Sequence, residues 1–118
     1  MDTEGDLTVT EIDLSSNGLK GYVPSIVFYL LSLRSLNVGG NDVVVSFRDS
    51  EDAASLEELY FHSTRVVSIE GIGAATNLKT LKMDNNAFFG RSLPDEIFAL
   101  SNLTTLDISQ NGFIGTLS

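Results

Sequence analysis

Cysteine is absent from the chain. That removes disulfides, thiolate zinc sites and thiol nucleophiles as explanations of how it folds or acts. There is a single histidine, His62, so no imidazole set is available for a metal, and no metal or other cofactor is expected. Basic residues are few: 7 Lys and Arg stand against 16 Asp and Glu, a formal charge of −9. This balance argues against a nucleic-acid phosphate footprint and against attraction to an anionic membrane surface. Long apolar runs are missing too. The longest, Ile26 to Leu31, falls far short of a bilayer's thickness, so this segment is not expected to insert into a membrane. The opening Met1-Asp-Thr-Glu-Gly-Asp6 is acidic and lacks the basic and apolar parts of a signal peptide; a leader, if there is one, lies outside this sequence. The 118 residues, 42% of them hydrophobic, suit one globular domain.

What the chain does have is a recurring phrase. In Leu103-Thr-Thr-Leu106-Asp-Ile108-Ser-Gln-Asn111, apolar residues hold positions 1, 4 and 6, and Asn holds position 9. The alternation of Leu106 and Ile108 predicts a short strand with one buried face, while Thr105, Asp107 and Ser109 point the other way. Asn at position 9 fits a sharp turn where a side-chain amide supplies hydrogen bonds that the turning backbone cannot. The phrase opens five times, at Val9, Leu33, Leu56, Leu78 and Leu103, with periods of 24, 23, 22 and 25 residues. Its inner apolar pairs are Ile12 and Leu14, Leu36 and Val38, Leu59 and Phe61, Leu81 and Met83, and Leu106 and Ile108. Position 9 is Asn17, Asn41, Thr64, Asn86 and Asn111. This period and motif identify a leucine-rich repeat solenoid of α/β class, with short parallel strands on the concave side and short helical or 3-10 turns on the convex side.

One unit cannot bury its apolar stripe alone, but stacked units extend a parallel sheet over a continuous core. The Asn residues form a ladder and are each expected to be buried at the turn, bonding to their own and the adjacent repeat. Thr64 brings one hydroxyl where the others bring an amide, so its step should be weaker. Residues 1–118 read as a single solenoid domain. The chain stops halfway through a repeat, leaving Phe113, Ile114 and Leu117 with nothing to cover them, so it reads as a segment of a longer solenoid or one covered by a partner.

Four residues past position 9, the first, fourth and fifth repeats carry Gly21, Gly90 or Gly115, then Val23-Pro24, Leu93-Pro94 or Leu117-Ser118. Pro24 and Pro94 predict short convex helices or 3-10 turns that pack Ile26, Leu30, Ile97 and Leu100 inward. The pattern closely resembles the plant-type leucine-rich repeat, Leu-x-x-Leu-x-Leu-x-x-Asn-x-Leu-x-Gly-x-Ile-Pro. That class is typical of receptor-kinase and receptor-like ectodomains and of secreted glycanase inhibitors. The middle departs from it. Repeat two lacks Gly-x-Ile-Pro, and repeat three, 22 residues long with Gly71 and Gly73, predicts an irregular convex side. Asp49, Glu51, Asp52, Glu57 and Glu58 gather beside it and read as a solvated acidic flank or, less favoured, a site for a basic partner.

The outward residues of each strand should line the concave face. One column would run Asp13, Asn37, Tyr60, Lys82, Asp107 and the next Ser15, Gly39, His62, Asp84, Ser109, with neighbours about 4.8 Å apart. Tyr60, His62, Lys82 and Asp84 form the most distinctive patch, and Gly39 is expected to leave a gap beside His62 where a ligand group could sit. Ser63, His62 and Asp84 supply the residue types of a triad. However, Ser63 adjoins His62 in sequence, no nucleophile elbow is present and the face is open, so no enzyme is expected. Asn102-Leu103-Thr104 is the chain's one N-glycosylation sequon. The resemblance implies a non-catalytic module that recognises another protein, a peptide or a glycan through this face. It favours the secretory route and cell surface over an intracellular or organellar place. The alternative is a scaffold subunit docked in a larger assembly through its uncapped ends and acidic flank.

Overall fold

The computed structural model describes residues 9–23, 32–47, 55–66, 68–86, 88, 92 and 95–113. Pro24, Ile26, Leu30, Asp49, Glu51, Asp52, Gly90, Leu93, Pro94, Ile114, Gly115, Leu117 and Ser118 lie outside them. Each phrase forms one strand beginning two residues after its opening position. The strands β1 (Glu11–Asp13), β3 (Ser35–Asn37), β5 (Glu58–Tyr60), β6 (Thr80–Lys82) and β7 (Thr105–Asp107) make one five-stranded sheet in the order β1-β3-β5-β6-β7. Every pairing is parallel and in step with the repeat, for instance Leu36 opposite Leu59 and Leu81 opposite Leu106. Two further strands, β2 (Lys20–Tyr22) and β4 (Asp42–Val44), pair in parallel and continue repeats one and two around the turn.

The core sits behind the central strands. Leu36, Leu59, Leu81, Phe61 and Met83 are fully enclosed, as are Leu33, Leu56 and Leu78 at position 1. Aromatic rings bridge neighbouring repeats: Phe47 meets Phe61 with centroids 5.2 Å apart, and Phe88 stacks on Phe113 at 5.1 Å. Phe113, expected to stand uncovered, is therefore half-buried against Phe88. The inward residues of the outer strands are less covered, with Leu14 at 43% and Leu106 at 38% exposure. Among the described residues, a neighbouring repeat flanks each of them on one side.

The helical segments among the described residues are two 3-10 turns, η1 (Ile72–Ala74) and η2 (Asp95–Ala99). The η2 turn follows Pro94 and buries Ile97, with Leu100 buried just beyond it, as the sequence predicts. Repeat three differs from expectation: its convex side is an ordered turn. Gly71, with φ 98°, adopts a left-handed conformation that only glycine takes without strain, and it opens η1. The Glu96 carboxylate reaches across from the next repeat to accept the Gly71 and Gly73 N–H groups, each at 2.9 Å.

The turn after each strand repeats with the same regularity. Position 8 is left-handed at Ser16, Gly40, Ser63, Asn85 and Gln110, with φ between 53° and 72°. Position 9 follows. Asn41, Asn86 and Asn111 are buried, and each Nδ2 donates both to a carbonyl of its own repeat and to one of the repeat before: Asn41 to Val38 and Leu14, Asn86 to Met83 and Phe61, Asn111 to Ile108 and Met83. Each Oδ1 accepts the position-9 N–H of the preceding repeat, from Asn17, Thr64 and Asn86 in turn. Asn17 departs from the expected buried ladder. Its side chain is exposed and donates only to the Ser15 carbonyl, because no described residue before it offers a carbonyl to reach. Thr64 is too short to reach back: its hydroxyl has Phe61 O at 2.9 Å and Asn86 Oδ1 at 2.7 Å, and nothing in repeat two.

Candidate functional site

The backbone register fixes the concave face. It aligns Asp13, Asn37, Tyr60, Lys82 and Asp107 in one row, and Glu11, Ser35, Glu58, Thr80 and Thr105 in the row before it. Beyond the strand ends, Ser16, Gly40, Ser63 and Asn85 donate their N–H groups to the carbonyls of Gly39, His62, Asp84 and Ser109. Those bonds hold Ser15, Gly39, His62, Asp84 and Ser109 in a third row. Both columns expected from the sequence are thus side by side.

Within these rows the side chains divide by what they bond. Asp13 and Asp107 fold back on their own turns. Each Oδ1 accepts the N–H, at 3.0 Å, and the hydroxyl, at 2.7 Å, of the serine two residues on, Ser15 or Ser109. The hydroxyl bond first, then the N–H, stabilises each carboxylate and lowers its pKa below the usual 3.8; Lys82 and His62 add smaller attractions at Asp107. Asn37 Oδ1 takes the Gly39 N–H in the same way. These three residues therefore close the strand end as well as facing outward.

Tyr60 is half-buried. Burial first, and then the charge and hydrogen bond of Glu58, push its phenol above 10.0. It keeps its proton at any ordinary pH, which leaves an aromatic ring with a neutral hydroxyl between Asn37 and Lys82. Beside it, the gap expected over Gly39 is filled by the His62 imidazole. A Cβ built on Gly39 would overlap three atoms of that ring. The ring covers Gly39, which is buried, and packs directly on its neighbour's backbone. Ser63 turns away from any triad: its hydroxyl accepts the Asn85 Nδ2 at 3.1 Å. Lys82 and Asp84 are half-exposed. Together Tyr60, His62, Lys82 and Asp84 give an open patch of one aromatic ring, one imidazole and one charge of each sign. Among the described residues no group of His, Asp or Glu is placed to hold a metal ion.

A second concavity runs along the flank where the chain enters the strands. It is an open groove of about 550 Å³ lined by Thr10, Ser32, Arg34, Ser55, Glu57, Asn77, Lys79 and Asn102. Glu57 Oε1 lies between Arg34 Nη2 at 3.6 Å and Lys79 Nζ at 3.8 Å, so this part of the acidic flank is internally paired. Asn102 is exposed and donates Nδ2 to the Thr76 carbonyl at 2.9 Å. Sequence reasoning missed the groove, although its signal was present. The residue before each opening Leu is Ser32, Ser55, Asn77 or Asn102, a polar row with the period of the repeat.

A leucine-rich repeat family model matches residues 99–117. Receptor-like protein 34 of Arabidopsis thaliana is 33% identical over 112 residues, covering 92% of this chain and 11% of that protein. Adenylate cyclase of Schizosaccharomyces pombe is 30% identical over 112 residues, covering 94% of this chain and 6% of that protein. The chain thus spans about a tenth or less of the length of these relatives. Among solved structures, the BIR2 ectodomain from Arabidopsis thaliana superposes with a TM-score of 0.71 at 17% identity, over 86% of this chain and 66% of that one. It shares the fold.

Proposed function

Since the chain is a leucine-rich repeat protein whose units are mostly of the plant type, we propose that it is a non-catalytic recognition module that binds a protein or peptide through its concave face. The observation that carries this reading is the patch of Tyr60, His62, Lys82 and Asp84, brought together from two adjacent strands on an open sheet. Tyr offers a large apolar area at low entropic cost and a hydroxyl for a partner. The imidazole already packs over Gly39, which restricts the rotamers it would otherwise lose on binding. Five strands at about 4.8 Å give a sheet about 20 Å long, enough for part of a standard interface. The similarity to adenylate cyclase covers 6% of that enzyme, and Ser63 bonds to Asn85 rather than to His62, which supports the non-catalytic reading. Similarity to receptor-like proteins supports the secretory route and the cell surface. No helix of the described residues is long and apolar enough to cross a membrane.

The test is to pan a random peptide display library on the intact chain and on the Tyr60→Ala, His62→Ala double variant. Peptides that bind the parent and lose about tenfold or more in affinity for the variant, an effect of about 1.4 kcal/mol or more, are the expected result. Binders indifferent to the double substitution would overturn the reading. The second reading, a scaffold subunit docked through its ends, draws on the exposed inward residues Leu14 and Leu106. It predicts assembly that Leu106→Lys abolishes in sedimentation while Tyr60→Ala leaves it intact.

A further inference from the structure

We propose that the flank groove is the seat of an N-linked glycan attached to Asn102. This rests on the secretory-route reading above but not on the concave patch. Asn102 is a wall of the groove, and it opens the chain's only Asn-x-Thr acceptor sequence. Both Asn102 and Thr104 are exposed. Attachment joins Nδ2 to the anomeric carbon of a diphosphate-activated oligosaccharide. The bond from that carbon to the diphosphate oxygen breaks, diphosphate departs and one Nδ2 proton is lost. The amide carries two protons, so the one that remains can still bond the Thr76 carbonyl, now 2.9 Å away. That bond fixes the direction in which the sugar leaves the wall. Thr104 is held in the same neighbourhood, its hydroxyl 3.2 Å from the Lys79 carbonyl.

The rest of the groove suits sugar. Ser32, Ser55 and Asn77 offer hydroxyl and amide groups, and Arg34, Glu57 and Lys79 offer charged donors and acceptors. Contacts with a tethered ligand can be weak individually, because attachment sets a millimolar effective concentration. A seated glycan covers this flank and leaves the concave face, a different side of each strand, open to partners.

The experiment uses the full chain secreted from eukaryotic cells behind an added leader peptide. Peptide mapping should find sugar on Asn102 in the parent and in Thr104→Ser. Thr104→Ala, which keeps the Asn102–Thr76 bond but destroys the acceptor sequence, should carry none. Seating is then read from the rate at which an N-glycosidase releases the glycan. Release from the folded chain should be about tenfold slower than from the unfolded chain, and the Arg34→Ala, Lys79→Ala double variant should recover most of that difference. An unmodified Asn102 in the secreted chain overturns the proposal and leaves the peptide-panning result untouched. Equal release from folded and unfolded chains, or release indifferent to the double substitution, overturns the seating.

Discussion

Position 9 is where one residue decides how firmly two repeats are joined. Asn86 shows the full pattern: its Nδ2 bonds Met83 and Phe61, and its Oδ1 takes the Thr64 N–H. At Thr64 the backward half is missing, and the Val38 carbonyl receives only its own repeat's Asn41, whereas the Met83 carbonyl receives both Asn86 and Asn111. Thr64→Asn should therefore stabilise the fold by about 1 kcal/mol, the net value of a typical added hydrogen bond. Urea denaturation checks it through a higher midpoint at unchanged slope. Four positions earlier in the repeat, Asp13 and Asp107 have pKa values lowered by their serines. A lowered folded-state value means that the stabilising charge is complete above 3.8 and is lost as pH falls through the lower, folded value. Carboxyl NMR titration should place both midpoints below 3.8, and Ser15→Ala or Ser109→Ala should move the neighbouring one up toward it. The missing backward bond at Thr64 was readable from residue type alone. The Asn17 side chain was misjudged because its burial depends on a repeat before it, which no property of Asn17 reports. The position-8 conformation was hidden for a related reason: Ser16, Ser63 and Gln110 are not residues that favour φ > 0, and the turn imposes it on them.

At the scale of elements, apolar alternation carried most of the information. It located all five concave strands, and the constant offset from each opening residue matches the register of their pairing. The convex side was less readable, since it is shorter, varies from unit to unit and is set by contacts between repeats. The η1 turn is the clearest case. Gly71 and Gly73 read as irregularity, but they leave room for the Glu96 carboxylate, which gathers their N–H groups from about 25 residues away. Gly73 has its nearest prospective Cβ neighbour in that same carboxylate, at 3.3 Å. Glu96→Ala should cost about 1–2 kcal/mol, because two turn amides lose a charged acceptor at a half-buried site where water replaces it only in part. Glu96→Gln, which keeps one oxygen, should cost less. Thermal unfolding of the two variants side by side would show this ordering; equal loss in both would point to the side chain's packing instead. That Gly39 and His62 are neighbours was legible from the register, but that the imidazole fills the space over Gly39 was not, since it depends on the side-chain rotamer.

For the molecule as a whole, stability should be graded along the stack. Each repeat touches only its neighbours, and burial is complete for Leu36, Leu59 and Leu81 but falls off at Leu14 and Leu106. Amide exchange of the described strands should follow that gradient. The amides of Val38 and Phe61, bonded to Tyr60 and Lys82 carbonyls, should exchange more slowly than Leu14, which bonds to Asn37 at the edge. Uniform protection across the five strands would mean a single cooperative unit instead. The order of these bonds has a mechanical consequence as well. The inter-repeat rungs all run along the axis of the stack, so tension applied to its two ends loads successive interfaces in series, each bearing the whole force. Such a chain of links yields at its weakest member, and of the two joints among the well-buried middle repeats, the Thr64 joint between the second and third should part before the one between the third and fourth.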